Sequence, residues 1–152
     1  MSRPLHVIVI VILCVVGSLY WYAGRQQDRY DAAATAYLRE ALTAIGGWQS
    51  GALRRHLAEE ALSAASDEQL DALVERYRPL GAFQELHDIQ FARLTAALSL
   101  FSRDTLLSYH GQAHFANGNA QLTATLVVRD GAFRLYNFSL SSPQLAADGQ
   151  RR

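Results

Sequence analysis

Two dipeptides, Asn117-Gly118 and Asp130-Gly131, each stand between runs of alternating side chains, and they leave the second half of the chain few ways to fold. Asn-Gly and Asp-Gly accept the positive φ that a type I′ turn needs at both central positions, and such a turn fixes the register of the strands it joins. With Asn117-Gly118 central, Leu107 opposes Val128, Tyr109 opposes Leu126, Gly111 opposes Ala124, Ala113 opposes Leu122 and Phe115 opposes Ala120. The other face then takes His110 with Thr125, Gln112 with Thr123 and His114 with Gln121. A second two-residue turn at Asp130-Gly131 adds a strand from Ala132 to Leu140. This predicts a three-stranded antiparallel meander with Phe133 and Leu135 on the apolar face, and with Arg134, Tyr136, Phe138 and Leu140 beside the histidines.

That register carries two expectations about sites. His110 and His114 share a face, but a strand rises about 3.3 Å per residue, so their backbones lie roughly 13 Å apart and they do not share an ion; no metal site is assigned. On the apolar face Gly111, Ala124 and Asn137 form one rung beside Tyr109, and these four are the candidates for lining a small cavity. His110, His114, Arg134, Tyr136 and Phe138, on the mixed face, are the candidates for binding a partner.

Upstream, Gly81 to Phe91 supplies a further strand with Phe83 and Ile89 inward. Residues 92–104 fit either a strand or a short helix, because periodicity does not settle an apolar run of that length. Between Asp28 and Ile45, Tyr30, Ala33, Ala34, Tyr37, Leu38, Ala41, Leu42 and Ile45 recur at helical spacing, and Gly46-Gly47 ends the helix. A second helix starts near Ser50 with Leu53, Leu57 and Leu62 inward, its Arg54-Arg55 and Glu59-Glu60 forming a solvated charge lattice. Ser66-Asp-Glu-Gln69 is a capping box opening a third helix, with Leu70, Leu73, Val74 and Tyr77 inward and Pro79 and Gly81 as its stop. Trp48 is expected to seal the junction between the first two helices.

The N-terminus is of another kind. Val7 to Ala23 reads VIVIVILCVVGSLYWYA, without a charge, and with Leu5-His6 it reaches the roughly 17 to 25 residues of a transmembrane helix. Tyr20, Trp21 and Tyr22 mark the interface at its far end. Leu13 before Cys14 argues against lipid attachment, and the segment lacks the small-x-small pattern of a signal peptidase site. The expected organisation is an anchor over 1–24, an α+β domain over 25–145 and a flexible tail over 146–152. Cys14, the single cysteine, lies in the anchor, so the domain has no disulfide or thiolate chemistry. Fourteen basic and fourteen acidic side chains balance, which disfavours a nucleic-acid partner. Every Lys or Arg position is arginine, a bias that a GC-rich bacterial genome explains.

Three amphipathic helices followed by a twisted meander, with LGAF at Leu80 to Phe83 and HFANGNAQLTATLVVRDGAFRLYNFSL from His114 to Leu140, resemble small membrane-anchored bacterial domains of the nuclear-transport-factor-2-like or cystatin-like class. The resemblance covers roughly residues 28–142. It implies two to three helices packed on a curved antiparallel sheet, and no functional motif travels with it. Enzymatic relatives place a general base and a hydrogen-bond donor in the cone between sheet and helices, where this chain offers Asn137, Tyr109 and Tyr37. His87-Asp88 is the one adjacent acid-base pair, and neighbours on a strand point to opposite faces. The reading is therefore a non-catalytic, cofactor-free, single-pass protein of the bacterial inner membrane, inserted through residues 5–23 with its domain in the periplasm. It binds another envelope protein as an accessory or assembly subunit, with a homodimer as a further option. The alternative is a small-ligand carrier or sensor.

Overall fold

The computed structural model describes residues 3–92 and 104–149, and near the N-terminus the side chains of 7–22, 25 and 30 onward. The helical half consists of α1 (Arg3–Ile45), α2 (Ser50–His56), α3 (Glu59–Ala64) and α4 (Asp67–Tyr77), closed by a 3-10 turn over Arg78–Leu80. The sheet half is β1 (Phe83–Phe91), β2 (Thr105–Phe115), β3 (Gly118–Arg129) and β4 (Ala132–Ser141), followed by α5 (Pro143–Gly149). The strands lie in the order β1-β2-β3-β4, every pair antiparallel. The chain thus folds as α+β, with helices packed on a four-stranded antiparallel sheet.

α1 is one uninterrupted helix of 43 residues. The boundary expected at 24–25 falls inside it, because a single glycine there costs a helix only about 1 kcal/mol and no proline follows to stop it. Its C-terminal part packs Ala34, Leu38, Ala41, Leu42 and Ile45 into the core, each leucine or isoleucine contributing about 1.5–3 kcal/mol by leaving water. Its N-terminal part instead exposes Val7 to Leu13, Val15, Val16, Tyr20 and Trp21. Among the described residues no helix is long and apolar enough to cross a membrane. The side chains of Leu5, His6 and Ala23, which the expected span includes, fall outside those described.

The second expected helix is two. Ala58 N donates to Leu135 O across 2.7 Å, and Leu57 forms a parallel bridge to Leu135, so the chain goes extended between α2 and α3 to meet β4. The charge lattice is divided accordingly. Arg54 reaches across to Asp67 and Asp71 of α4 at 3.3 and 3.5 Å, and Glu60 pairs with Arg129 of β3. The capping box forms as read: Gln69 N donates to Ser66 Oγ at 3.2 Å and Ser66 N donates to Gln69 Oε1 at 2.9 Å. Trp48 is buried at the junction, its ring 5.6 Å from that of Phe115.

Asp130 and Gly131 have φ of 50° and 77° and join Arg129 to Ala132, the two-residue turn expected of them. The first hairpin differs. Phe115 pairs with Gly118, so Ala116 and Asn117 are the central residues, and Leu107 faces Leu126. The displacement comes from outside the hairpin: Asn117 N donates to Leu80 O at 2.9 Å and its Nδ2 to Pro79 O at 3.0 Å. Because the shift is by two residues, every β2 and β3 side chain keeps its expected face.

β4 does not keep its faces. Leu126 pairs with Leu135 but Thr125 pairs with Asn137, which leaves Tyr136 as a bulge residue. One extra residue inverts everything after it. Phe138 and Leu140 turn to the core, Phe138 meeting Tyr77 edge to face at 6.1 Å, while Asn137 turns out to solvent. β1 pairs Phe83 with Phe115 and has irregularities at Gln84 and at Asp88-Ile89; Leu86 is its fully buried residue, with Phe83 and Ile89 partly buried against the core. The segment left open between strand and helix, 93–103, lies outside the described residues, as do 150–152. Residues 146–149, expected in a flexible tail, belong to α5, which Leu145 fastens into the core.

Candidate functional site

Alternation along β2 and β3 delivers polar side chains without a fixed charge to the face of the sheet opposite the core. Register sorts them into rungs. Glu85, His114 and Asn119 form one, His87, Gln112, Gln121 and Ser141 the next, and Gln90, His110, Thr123 and Ser139 the third. Of these eleven residues Glu85 alone carries a fixed charge, and it is 2.8 Å from His87 Nε2. The His87 and His114 rings meet edge to face at 4.7 Å, and His110 Nδ1 lies 3.2 Å from Thr123 Oγ1. His114 therefore finds its imidazole neighbour on β1, not in His110. Among the described residues no group of three His, Cys, Asp or Glu is placed to hold a metal ion.

One end of this face is concave. α5 folds back beside the β2–β3 turn, where Gln144 Nε2 donates to Asn117 O at 2.5 Å. A Cβ on Gly118 would overlap the end of the Gln144 side chain, which would have to shift to make room. Between α5 and the second rung lies a cleft of about 470 Å³ lined by Gln112, Asn119, Gln121, Ser141, Pro143 and Ala146.

A second groove, of about 350 Å³, runs between α3 and the β3–β4 hairpin. Leu57, Ala58, Leu62, Val127 and Ala132 give it an apolar floor, with Glu59, Arg129 and Arg134 at its rim. Leu62 and Tyr136, 37% and 44% exposed, are large hydrophobic side chains that the folded domain leaves open to solvent. Arg129 binds Asp104 through Nε at 3.2 Å and Nη2 at 2.6 Å and also meets Glu60. These hydrogen bonds hold the Glu60 carboxyl below its ordinary range and raise the arginine further.

Of the five partner-binding candidates, His110, His114, Arg134 and Tyr136 are at the surface or partly so, and Phe138 is not among them because the bulge turns it inward. The cavity candidates are dispersed for the same reason. Ala124 and Tyr109 are paired and fully buried, Asn137 points to the opposite side of the sheet, and Gly111 lies where a Cβ would come within 3.1 Å of His87 O. The space expected over Gly111 is thus taken by the β1 backbone. Tyr109 Oη is buried with no hydrogen-bond partner among the described residues, and burial, aided by the Asp31 charge, drives its pKa strongly upward. That phenol remains protonated at any physiological pH.

Sequence reading named Tyr37 but missed its partner His56 in a third polar group, at the junction of α1, α2 and β4. Tyr37 Oη sits 3.2 Å from both His56 Nδ1 and His56 O, and its ring stacks on Phe133 at 5.8 Å. Burial raises the Tyr37 pKa against the opposing effect of Arg134, and burial lowers that of His56 against the opposing charge of Glu40. Both groups are held neutral, which suits a hydrogen bond that ties α2 to α1. The 19 residues separating them gave no local signal.

Midway along α1, the Arg25 guanidinium lies over the Trp21 ring, 4.1 Å from its centroid. One turn of helix places an amphipathic aromatic and a cation together where the exposed apolar series ends. Comparison of the chain with protein families, with curated proteins and with solved structures returns no match.

Proposed function

We propose that this chain is a membrane-tethered, non-catalytic protein-interaction module, an accessory or assembly subunit of a bacterial envelope complex with its folded domain on the periplasmic side. The observation that carries the reading is α1 itself. The same helix exposes an apolar N-terminal series, Val7 to Val16, and buries its C-terminal residues in the domain core, so whatever takes up the apolar series holds the domain without a hinge. A lipid bilayer is the medium in which a helix apolar all round is at lowest free energy. Tyr20, Trp21 and Arg25 at its end are the side chains that favour the interface. Helices on an antiparallel sheet also suit the nuclear-transport-factor-2-like reading of the fold.

The partner surface is best assigned to the groove between α3 and the β3–β4 hairpin. An apolar floor with a charged rim is the arrangement of a protein interface, and Leu62 supplies an exposed apolar side chain at its edge. The test uses the full-length chain in its native membrane. Alkaline extraction should leave it with the lipid, whereas Ile8→Lys with Ile12→Lys should release it. A photo-crosslinker at position 62 should yield one stoichiometric membrane protein, absent when the probe is at 110. Release of the unaltered chain would remove the tether, and crosslinking only to a second copy would replace the subunit reading with a homodimer.

A further inference from the structure

The cleft between α5 and the second rung is separate from the α3–β4 groove, and its chemistry is different. Its polar wall is Gln112 and Gln121, cross-strand partners, with Asn119 and Ser141 beside them. Its other wall is apolar, from Pro143 and Ala146. No lining residue is charged. Among the described residues no hydrogen bond engages these four polar side chains, and Gln112, Asn119, Gln121 and Ser141 are all exposed.

We propose that this cleft binds a neutral N-acetylated glycan. Each carboxamide offers donors and an acceptor in fixed geometry, so a cross-strand pair can give and receive a hydrogen bond with one acetamido group, which itself presents one N–H and one C=O. The acetyl methyl then lies against Pro143 and Ala146. Asn119 and Ser141 remain for ring hydroxyls, and the volume is in the range of small-ligand sites. An anion finds no cation in this lining, and a cation finds no carboxylate. His87, the edge member of the same rung, extends the polar surface along the direction in which a further sugar residue would run. The site depends on α5, whose Gln144 contact with Asn117 and buried Leu145 hold the apolar wall in place.

The experiment takes the full-length protein in detergent micelles and titrates it with β-linked tetramers of N-acetylglucosamine, of glucose and of glucosamine, followed by ligand-observed saturation-transfer NMR. The N-acetylated tetramer should bind, and its acetyl methyl should receive more saturation than its ring protons. Gln112→Ala with Gln121→Ala should weaken it about tenfold or more while the thermal midpoint stays unchanged, since both side chains are exposed. Ala146→Glu should weaken it by a second route, and His110→Ala, outside the cleft, should leave affinity as it is. Equal binding of the three tetramers, indifference to the double substitution, or no binding at roughly 10 mM, where even feeble sites register, would each overturn the proposal. None of these outcomes bears on membrane extraction, so the tether stands or falls by its own test.

Discussion

Trp48 Nε1 donates a hydrogen bond to Gly81 O across 2.6 Å, joining the loop after α1 to the entry of β1. Arg78 Nη2 returns the connection by donating to Trp48 O at 3.1 Å, so each side of the junction holds the other. Trp48→Phe keeps a ring against Phe115 and Tyr77 but leaves the Gly81 carbonyl without this donor. A loss of about 1–3 kcal/mol is expected, measured by urea unfolding followed by circular dichroism. Trp21→Phe, at an exposed position, is the matched control and should leave the midpoint where it is.

Gly46 is required by proximity, not by backbone conformation. A Cβ there would stand 2.8 Å from both Cβ and N of Phe83, and neither backbone nor the root of a core side chain can give way cheaply. Gly46→Ala should cost about 1–3 kcal/mol through overpacking. At Gly47 the nearest atom to such a Cβ is 3.7 Å away, so Gly47→Ala should change stability by no more than about 0.5 kcal/mol. Equal effects at the two positions would mean that α1 and β1 do not approach this closely.

The Tyr37–His56 contact has a pH signature. Burial lowers the His56 pKa in the folded state, so below the ordinary imidazole value of about 6.5 the unfolded chain binds the proton more readily. Stability from this group is therefore fully present above that value and is lost as pH falls through the folded-state pKa. The urea midpoint should drop as the pH falls below about 6.5, and His56→Gln should flatten that slope. Glu60, held low by Arg129, acts in a more acidic window, below the ordinary carboxylate value of about 4.3, so the two effects separate on one titration.

The two hairpins show how far local chemistry reaches. Asp130-Gly131 forms its expected turn, and among the described residues a Cβ on Gly131 would meet nothing within 4 Å. Asn117-Gly118 has the same signal, yet the Leu80 and Pro79 carbonyls claim the Asn117 amide and side chain, and the turn moves to suit them. Sequence could read the faces of β2 and β3, since a two-residue shift preserves them. It could not read the Tyr136 bulge, because Tyr136, Phe138 and Leu140 alternate equally well on either side of it. The candidate partner face was thus legible at His110 and His114 and wrong at Phe138. The split between α2 and α3 was hidden likewise, its cause being Leu135, 77 residues from Ala58.

The helical half also guards the free edge of the sheet. Leu140 N donates to Tyr77 Oη at 3.2 Å in a buried setting, and five residues earlier Leu135 O accepts from Ala58 N. An edge strand with unpaired amides and carbonyls invites pairing with another chain, and these two contacts occupy both kinds of group on β4. Tyr77→Phe removes one guard while leaving the ring between Trp48 and Phe138, whose centroids lie 6.2 and 6.1 Å from its own. The Leu140 amide would then be a buried donor without an acceptor, at a cost of about 1–3 kcal/mol. Amide exchange at Leu140 should accelerate by the corresponding factor, with a smaller change at Leu126, whose amide lies within the sheet on β3. Unaltered exchange at Leu140 in the Tyr77→Phe protein would show that another group serves that amide.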